Sequence, residues 1–132
     1  MIFADTGAWF AAFVPNDPDH ELASDWLSQN TEVLVTTDYV LDELLTLLKR
    51  RGEFERAVRL GECILGGTVA RLEWVTPADV EVAWHVFRQF RDKQWSFTDC
   101  TSRVVIERLS INTAFAFDEH FRQFGNVAVV PA

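Results

Sequence analysis

The sequence is poor in the residues that mark disulfide-rich, low-complexity and membrane-spanning proteins. Of its 132 residues only 2 are cysteine, 4 are proline and 6 are glycine. Cys63 and Cys100 both lie in helical patterns and form no closely spaced pair, which argues against a disulfide framework or a zinc site and predicts reduced thiols in a cytoplasmic protein. The apolar N-terminal stretch has no basic leader and is interrupted by Asp5 and Asp17. We therefore expect neither a signal peptide nor a membrane span.

Basic residues are also scarce. The chain has 12 lysine and arginine residues against 20 acidic ones, which gives a formal net charge of −8. Because proteins that bind nucleic acid through its phosphates are usually basic, this balance argues against broad nucleic-acid affinity. It favours a protein that gathers carboxylates around a metal or meets a basic partner. Basic side chains cluster only at Lys49–Arg51 and Arg88–Lys93, and each cluster either positions phosphates or is a solvated helix end.

What the sequence does contain is a regular alternation of strand-like and helix-like segments. Short apolar or β-branched runs predict five strands, at Met1–Ala4, Val33–Thr36, Leu72–Val75, Thr113–Phe117 and Val127–Val130. Helical spacing and end signals predict helices over Thr6–Val14, from a cap at Asn16 or Asp17, over Asp38–Arg51, Glu53–Leu65 and Pro77–Lys93, and from Asp99. The predicted buried stripe of the fifth helix is Val80, Ala83, Trp84, Phe87 and Phe90. This alternation predicts a parallel sheet covered on both faces, in an α/β protein with one domain over residues 1–132.

Four acidic residues, far apart in the sequence, occupy comparable positions in this pattern. Asp5 and Asp118 each follow a predicted strand, Asp99 opens a helix, and Glu43 lies one to two turns into the helix after the second strand. Glu43 also shares a helix side with apolar residues such as Val40, where a carboxylate is costly to bury unless something satisfies it. Ligands bind where the strands of an open α/β sheet end, so we expect all four acids to converge at that edge.

Converging carboxylates indicate a divalent cation. Four such groups repel one another, and hard ions such as Mg²⁺ or Mn²⁺, which prefer oxygen ligands, relieve the repulsion. A substrate phosphate can complete the shell of the ion, and the ion can activate water and stabilise charge on the phosphorus. The pattern therefore favours metal-dependent hydrolysis of a phosphodiester.

The sequence around the four acids resembles the PIN domain, and most of all the VapC-type ribonuclease toxins of prokaryotic toxin–antitoxin pairs. The resemblance runs almost from end to end, through the segments FADTGAW, TTDYVLDELLTLL, SFTDCTS and FAFDEHF. It implies a three-layer α/β/α sandwich with a five-stranded parallel sheet, and Mg²⁺- or Mn²⁺-dependent cleavage of single-stranded RNA. It also implies a homodimer and inhibition by a cognate antitoxin, which in this family typically presents arginine to the toxin.

The same resemblance assigns the site residues. The catalytic, metal-binding acids of the family match, in chain order, Asp5, Glu43, Asp99 and the more variable Asp118. Thr6 and Thr98 match hydroxyl positions beside these acids, where they would orient carboxylates or waters. Attack of water on the phosphorus is then expected to leave 5′-phosphate and 3′-hydroxyl ends.

Each acid also has a purely structural alternative. Asp5 and Asp99 suit the N-termini of helices, Glu43 suits a helix surface, and Asp118 suits a turn. His120 follows Asp118 by two residues and could touch substrate, but the sequence favours a structural role for it.

The whole protein has two alternatives to a nuclease. One is a PIN-fold module that has lost catalysis and acts through dimerisation or partner binding. The other is a phosphatase with a nucleophilic aspartate after the first strand, which needs a second aspartate close behind and a late lysine. That enzyme is disfavoured, since Asp5 is followed by Thr6 and Gly7 and no lysine follows Lys93.

Overall fold

A five-stranded parallel sheet forms the centre of the structure, a computed structural model that describes all residues from Met1 to Ala132. Its strands are β1 (Ile2–Ala4), β2 (Leu34–Thr37), β3 (Arg71–Glu73), β4 (Thr113–Phe115) and β5 (Ala128–Val130). They are ordered β3-β2-β1-β4-β5, and every neighbouring pair is parallel. The predicted sheet is thereby confirmed, and β1 lies at its centre.

Helices connect the strands. They are α1 (Thr6–Phe13), α2 (His20–Gln29), α3 (Asp38–Arg50), α4 (Phe54–Leu65), α5 (Pro77–Gln89) and α6 (Phe97–Arg108), followed by a 3₁₀ helix (Phe121–Phe124). None of them combines the length and the apolarity needed to cross a bilayer.

These helices cover both faces of the sheet. Phe3 pairs in register with Ala114, one residue before Phe115, and side chains of neighbouring strand residues point to opposite faces. Trp26 of α2 stacks on Phe115, with ring centroids 4.3 Å apart, whereas Phe121 of the 3₁₀ helix stacks on Phe3 at 6.0 Å. The three-layer α/β/α architecture is thus confirmed.

The start of α1 is anchored to the central strands. Trp9 is fully buried, and its indole Nε1 donates a hydrogen bond of 3.3 Å to the hydroxyl of Thr36 in β2. Thr36 in turn donates to the carbonyl of Ala4 in β1, at 3.0 Å. A buried aromatic ring with its polar atom satisfied fixes α1 against the ends of β1 and β2, which is where Asp5 lies.

Sequence-encoded caps fix the starts of the helices beside this edge. Thr37 caps α3 by accepting a hydrogen bond from the Val40 amide. Ser96 and Asp99 form a capping box at the start of α6, and Thr76 and Asp79 form another at the start of α5. Such reciprocal bonds satisfy amides that a helix N-terminus would otherwise leave unpaired.

Some predicted boundaries are wrong. The second helix begins at His20, because the Asp17 carboxylate accepts a hydrogen bond from the Asp19 amide in a turn instead of capping a helix near Pro18. The fourth strand ends at Phe115, two residues early, so Asp118 follows it after a short loop. Helix α6 begins at Phe97, which puts Asp99 within its first turn.

The predicted buried stripe of α5 is only partly correct. Ala83 is fully buried, whereas Trp84 is 51% exposed and Phe87 is 42% exposed. The two rings stack on each other at 6.0 Å, and Phe87 meets Phe97 edge-on. A stacked aromatic pair therefore lies on the solvent side of α5.

Candidate metal centre at the ends of the central strands

Asp5 is a buried carboxylate with an unsatisfied oxygen. It follows β1 directly and occupies the N-cap position of α1, yet its side chain makes no capping hydrogen bond. The residue is 2% exposed, and its Oδ1 has no hydrogen-bond partner. The helix-cap alternative therefore does not explain this side chain, and a buried carboxylate oxygen without a partner is costly.

Asp99 has a structural role as well as a place in the site. Its Oδ2 accepts a hydrogen bond of 2.9 Å from the Ser96 amide, and the Ser96 hydroxyl accepts one from the Asp99 amide. The same Oδ2 accepts a hydrogen bond of 2.7 Å from Nδ1 of His120. Asp99 is 5% exposed, so its carboxylate is held rigidly from two sides.

Asp118 and His120 lie in the loop after β4 and reach Asp99. Asp118 Oδ1 accepts a hydrogen bond from the His120 amide at 3.0 Å, and its Oδ2 lies 3.8 Å from His120 Nδ1. One ligand atom from each of these three residues lies within 4.8 Å of the other two. Asp118 is therefore both a turn residue, as its structural alternative expects, and a member of the cluster.

His120 belongs to this cluster, although it is not among the site residues that the sequence predicts. The sequence favours a structural role for it, whereas the structure places its ring on the Asp99 carboxylate. The available signal was its position two residues after Asp118, since a turn there brings its ring back towards the acids.

Glu43, Thr6 and Thr98 lie on a neighbouring cavity of about 380 Å³. This α3 cavity is lined by Thr6, Asp42, Glu43, Thr46, Leu47, Arg50 and Thr98. Glu43 is half-buried, and the buried hydroxyl oxygen of Thr6 has no hydrogen-bond partner. The structure thus places Glu43 and both threonines on one cavity, and Thr6 and Thr98 are the sequence neighbours of Asp5 and Asp99. Their roles there stay predictions.

A larger cavity lies elsewhere, and its lining does not contain a cluster of acids. It has a volume of about 700 Å³ and lies beside β3, where Leu65, Trp74 and Val33 give it an apolar lining. Glu32 is the one acid among its lining residues, and no acid cluster faces it. The acid cluster at the carboxyl ends of β1 and β4 is therefore the candidate site.

Asp5 interacts electrostatically with the three other acids. Burial raises the pKa of Asp5 well above its usual value, and the carboxylates of Asp118, Asp99 and Glu43 raise it further. Burial also raises the pKa of Asp118, as does Asp99, while His120 acts in the opposite direction. Asp5 therefore lies in the field of all three other acids.

Cys100, next to Asp99, does not add a nucleophile. Burial raises the pKa of its thiol to about 11, with the Asp99 carboxylate acting in the same direction. The thiolate is the reactive form of cysteine, so at neutral pH this side chain is an inert part of the core.

The donor set fits a hard divalent cation. Four buried polar side-chain atoms lack a hydrogen-bond partner in the whole structure, and two of them are Asp5 Oδ1 and Thr6 Oγ1 at this site. Carboxylate and hydroxyl oxygens are the ligands that Mg²⁺ and Mn²⁺ prefer. A cation at this edge would satisfy the orphaned oxygens and offset the burial and the repulsion that together raise the pKa of Asp5.

Comparisons with known proteins identify the family. Residues 2–127 match the PIN domain. Over 99% of both chains the sequence is 37% identical to the 23S rRNA-specific endonuclease VapC20 of Mycobacterium tuberculosis. It is 26% identical to Ribonuclease VapC26 of the same species, over 96% of this chain and 98% of that protein. The crystal structure of VapC20, described as a sarcin–ricin loop cleaving toxin, is similar with a TM-score of 0.88 and 34% identity over 95% of each chain. The chain therefore belongs to the PIN domain family and is of the VapC type.

Proposed function

We propose that this chain is a divalent-metal-dependent endoribonuclease and the toxin of a toxin–antitoxin pair. The observation that carries the proposal is the buried Asp5 carboxylate, which has an unpartnered oxygen and lies in the field of Asp99, Asp118 and Glu43. A buried carboxylate oxygen without a partner, placed beside other acids, indicates function, because the fold leaves its cost uncompensated. The likeness to VapC20 and VapC26, whose names are those of RNA-cleaving enzymes, supports the same chemistry.

Each side chain of the cluster has a distinct role in this proposal. Asp5, Asp99 and Asp118 would hold the cation, and Glu43 would complete the set from the side of α3. A bound cation supplies a water of lowered pKa and positive charge against the phosphate. His120 acts as a positioning residue, since its hydrogen bond of 2.7 Å fixes the Asp99 carboxylate. Loss of a side chain that orients a metal ligand typically lowers metal affinity or activity by about 10–100-fold.

Two hydroxyls support the acids. Thr6 and Thr98 border the α3 cavity beside Glu43. We propose that they orient the carboxylates or the waters between the acids and the substrate. The Thr6 hydroxyl, which has no partner within the protein, is free for this role.

We propose a loop of ribosomal RNA as the substrate. VapC20 is named as specific for 23S rRNA, and its crystal structure is described as that of a sarcin–ricin loop cleaving toxin. An identity of 37% over the whole length supports a shared class of substrate. Water, and not the ribose 2′-hydroxyl, is the proposed nucleophile, so the products are a 5′-phosphate and a 3′-hydroxyl.

Cleavage of defined RNAs tests this function. The protein is incubated with 23S rRNA, with a synthetic stem-loop of the sarcin–ricin sequence and with a fully paired duplex, each in EDTA, Mg²⁺ and Mn²⁺. We expect one cut in the loop, only with a divalent cation, with 5′-phosphate ends and an intact duplex. Cleavage that persists in EDTA, or that leaves 2′,3′-cyclic phosphates, would contradict the metal mechanism. Failure of the folded protein to cut any RNA would favour the alternative of a binding module.

We propose a small basic antitoxin segment as the protein partner of the acid cluster. The net charge of −8 and the raised pKa of Asp5, caused by burial and by Asp118 and Asp99, indicate that positive charge is favoured here. Arginine pairs with carboxylates through two parallel hydrogen bonds, which makes it the side chain best suited to cover such a cluster. This partner would occupy the place of the cation and the RNA.

We further propose that the chain forms a homodimer through α5. Glu81, Trp84 and Arg88 follow one face at helical spacing, all three are exposed, and neither charged side chain forms an ion pair within the chain. An antiparallel pairing of two α5 helices about a twofold axis puts Glu81 of each copy opposite Arg88 of the other, around the two Trp84 rings. The face is therefore complementary to itself in both charge and apolar surface.

Light scattering after size-exclusion chromatography tests the dimer. We expect the wild type to have twice the mass of the chain, and Trp84→Ala to be monomeric at concentrations where the wild type is dimeric, since central aromatic anchors carry most of the affinity of an interface. Trp74→Ala is the matched control, because Trp74 is 60% exposed at β3, outside this face. A monomeric wild type, or a Trp84→Ala variant that stays dimeric, would exclude this interface.

A further inference from the structure

The α3 cavity extends the acid cluster along one face of α3. Asp42, Thr46 and Arg50 follow one another at intervals of four residues, and Glu43 precedes Arg50 by seven, so the spacing aligns them along the helix. Seven residues of helix cover about 10 Å. The cavity therefore has an acidic end at Glu43 and a basic end at Arg50.

Arg50 is the one cation that lines this cavity, and no other contact engages its charge. It is exposed and forms no ion pair with any acid of the chain. Its neighbours in the sequence are different: Lys49 lies over the ring of Phe54 at 5.9 Å, and Arg51 lies over the ring of Phe10 at 5.7 Å. Within the basic cluster 49–51, Arg50 alone faces the candidate site without a partner.

A cation beside the acid cluster would help an acidic ribonuclease to bind RNA. With a net charge of −8, the chain has little general attraction for RNA, and the carboxylates repel the phosphates on either side of the cleaved bond. A cation beside the site offsets this repulsion locally, and the guanidinium group binds a phosphate through two parallel hydrogen bonds. The hydroxyl of Thr46, one helical turn earlier, can donate a further hydrogen bond into the same space.

We propose that the α3 cavity is a phosphate subsite, in which Arg50 and Thr46 bind the backbone phosphate next to the scissile one in the RNA strand. The inference rests on the proposed ribonuclease function and adds the direction in which the substrate leaves the metal centre, along α3. Arg50 contacts a phosphate that does not react, so it holds the ground state and the transition state equally. Loss of the Arg50 contact is therefore expected to raise KM and to leave kcat unchanged.

Asp42 lies in the same cavity and opposes this binding. Its carboxylate is exposed, and we assign it no part in holding the cation. A phosphate in the cavity would lie close to this negative charge. Removal of the charge is therefore expected to strengthen RNA binding, whereas removal of the Arg50 charge weakens it.

Steady-state cleavage of the sarcin–ricin stem-loop, over a range of salt concentrations, tests the subsite. We expect Arg50→Gln to raise KM about tenfold with kcat within about twofold, and to reduce the slope of log(kcat/KM) against log[salt] by about 0.7–0.9, the value for one phosphate contact. Lys49→Gln is the matched control, because it removes the same charge from the adjacent residue; its KM and salt slope are expected to stay near those of the wild type. Asp42→Asn is expected to lower KM.

Two results would overturn the subsite: equal effects of Arg50→Gln and Lys49→Gln, or a KM that Asp42→Asn leaves unchanged. Arg50→Lys separates loss of charge from loss of the guanidinium fork, and we expect it to recover only part of the affinity. If the wild type cuts no RNA, the proposed function itself fails. Fluorescence anisotropy of the labelled stem-loop in an Asp5→Asn background still tests Arg50 in that case: weaker binding of Asp5→Asn/Arg50→Gln supports the subsite, and equal binding contradicts it.

Discussion

Replacement of Asp5 by asparagine is expected to lower RNA cleavage by at least about 10³-fold and yet leave the fold intact. Positive charge at a reacting phosphate is worth several kcal/mol, and each ~1.4 kcal/mol is a factor of ten in rate. The Asp5 side chain does not cap α1, and its Oδ1 has no hydrogen-bond partner that asparagine would lose. Without metal, the variant is expected to be more stable than the wild type by about 1–2 kcal/mol, because it removes a buried charge that lies in the field of the three other acids.

Asp25→Asn is the matched control for this variant. It makes the same chemical change at an exposed position of α2, so we expect its cleavage rate and its melting temperature in EDTA to match those of the wild type. The readouts are initial cleavage rates with Mn²⁺ and calorimetric melting in EDTA. An Asp5→Asn variant that cuts at more than about a tenth of the wild-type rate would contradict a central role for this carboxylate.

Asp5 is a better residue to test than Asp99. Asp99 accepts hydrogen bonds from the Ser96 amide and from His120, so its replacement also perturbs the start of α6. A loss of activity in Asp99→Asn would therefore combine loss of a ligand with loss of a cap.

Replacement of Arg108 by alanine is expected to be the most destabilising single change outside the hydrophobic core, at about 2 kcal/mol. Arg108 donates to both oxygens of Asp79, at 2.9 and 2.8 Å, and to Glu73 at 3.1 Å. It thereby joins the end of α6 to the start of α5 and to β3. The Asp79 side chain is 4% exposed and would keep a buried charge without its main partner, which is costly. A fall in melting temperature of roughly 5–10 °C is expected.

The penalty of Arg108→Ala should depend on pH. Burial acts to raise the pKa of Asp79, but hydrogen bonds from Arg108 and Thr76 outweigh it and lower this pKa below its usual value. The stabilisation is therefore fully present above the unfolded-state pKa of about 3.9 and is lost as the pH falls through the lower folded-state value. Denaturation midpoints at neutral and acidic pH measure the difference. Arg59→Ala, at an exposed arginine without an ion pair, is the control. An equal penalty for both variants, or a penalty for Arg108→Ala that does not shrink in acid, would count against the network.

The sequence was sufficient to predict the order of the elements, because each strand and helix has its own local signal. Apolar runs with β-branched residues mark the strands, and capping residues such as Ser96 and Thr76 mark the helix starts. The errors occurred where tertiary contacts decide. Asp17 is used in a turn and not as a cap, and Trp84, at core spacing on α5, is exposed, since spacing indicates which residues share a face but not which face meets the sheet.

The acids of the site were accessible from sequence because strand ends in a parallel sheet converge. Asp5 follows β1 and Asp118 follows β4 after a short loop, and these two strands are neighbours in the sheet. His120 and Arg50 could not be predicted in the same way. The place of His120 depends on how one loop folds back onto Asp99, and that of Arg50 on which side of α3 borders the cavity. Both depend on packing between segments far apart in sequence.

The most direct test of the account is the thermal stability of the wild type and of Asp5→Asn during titration with Mn²⁺ from a metal-free state. A ligand that binds only the folded protein adds about 2.7 kcal/mol at 100 times its Kd. We expect the wild type to gain this stability at saturating Mn²⁺ and Asp5→Asn to lose most of the gain. A wild type whose melting temperature does not respond to Mn²⁺, or an equal response in both proteins, would contradict a metal centre built on Asp5.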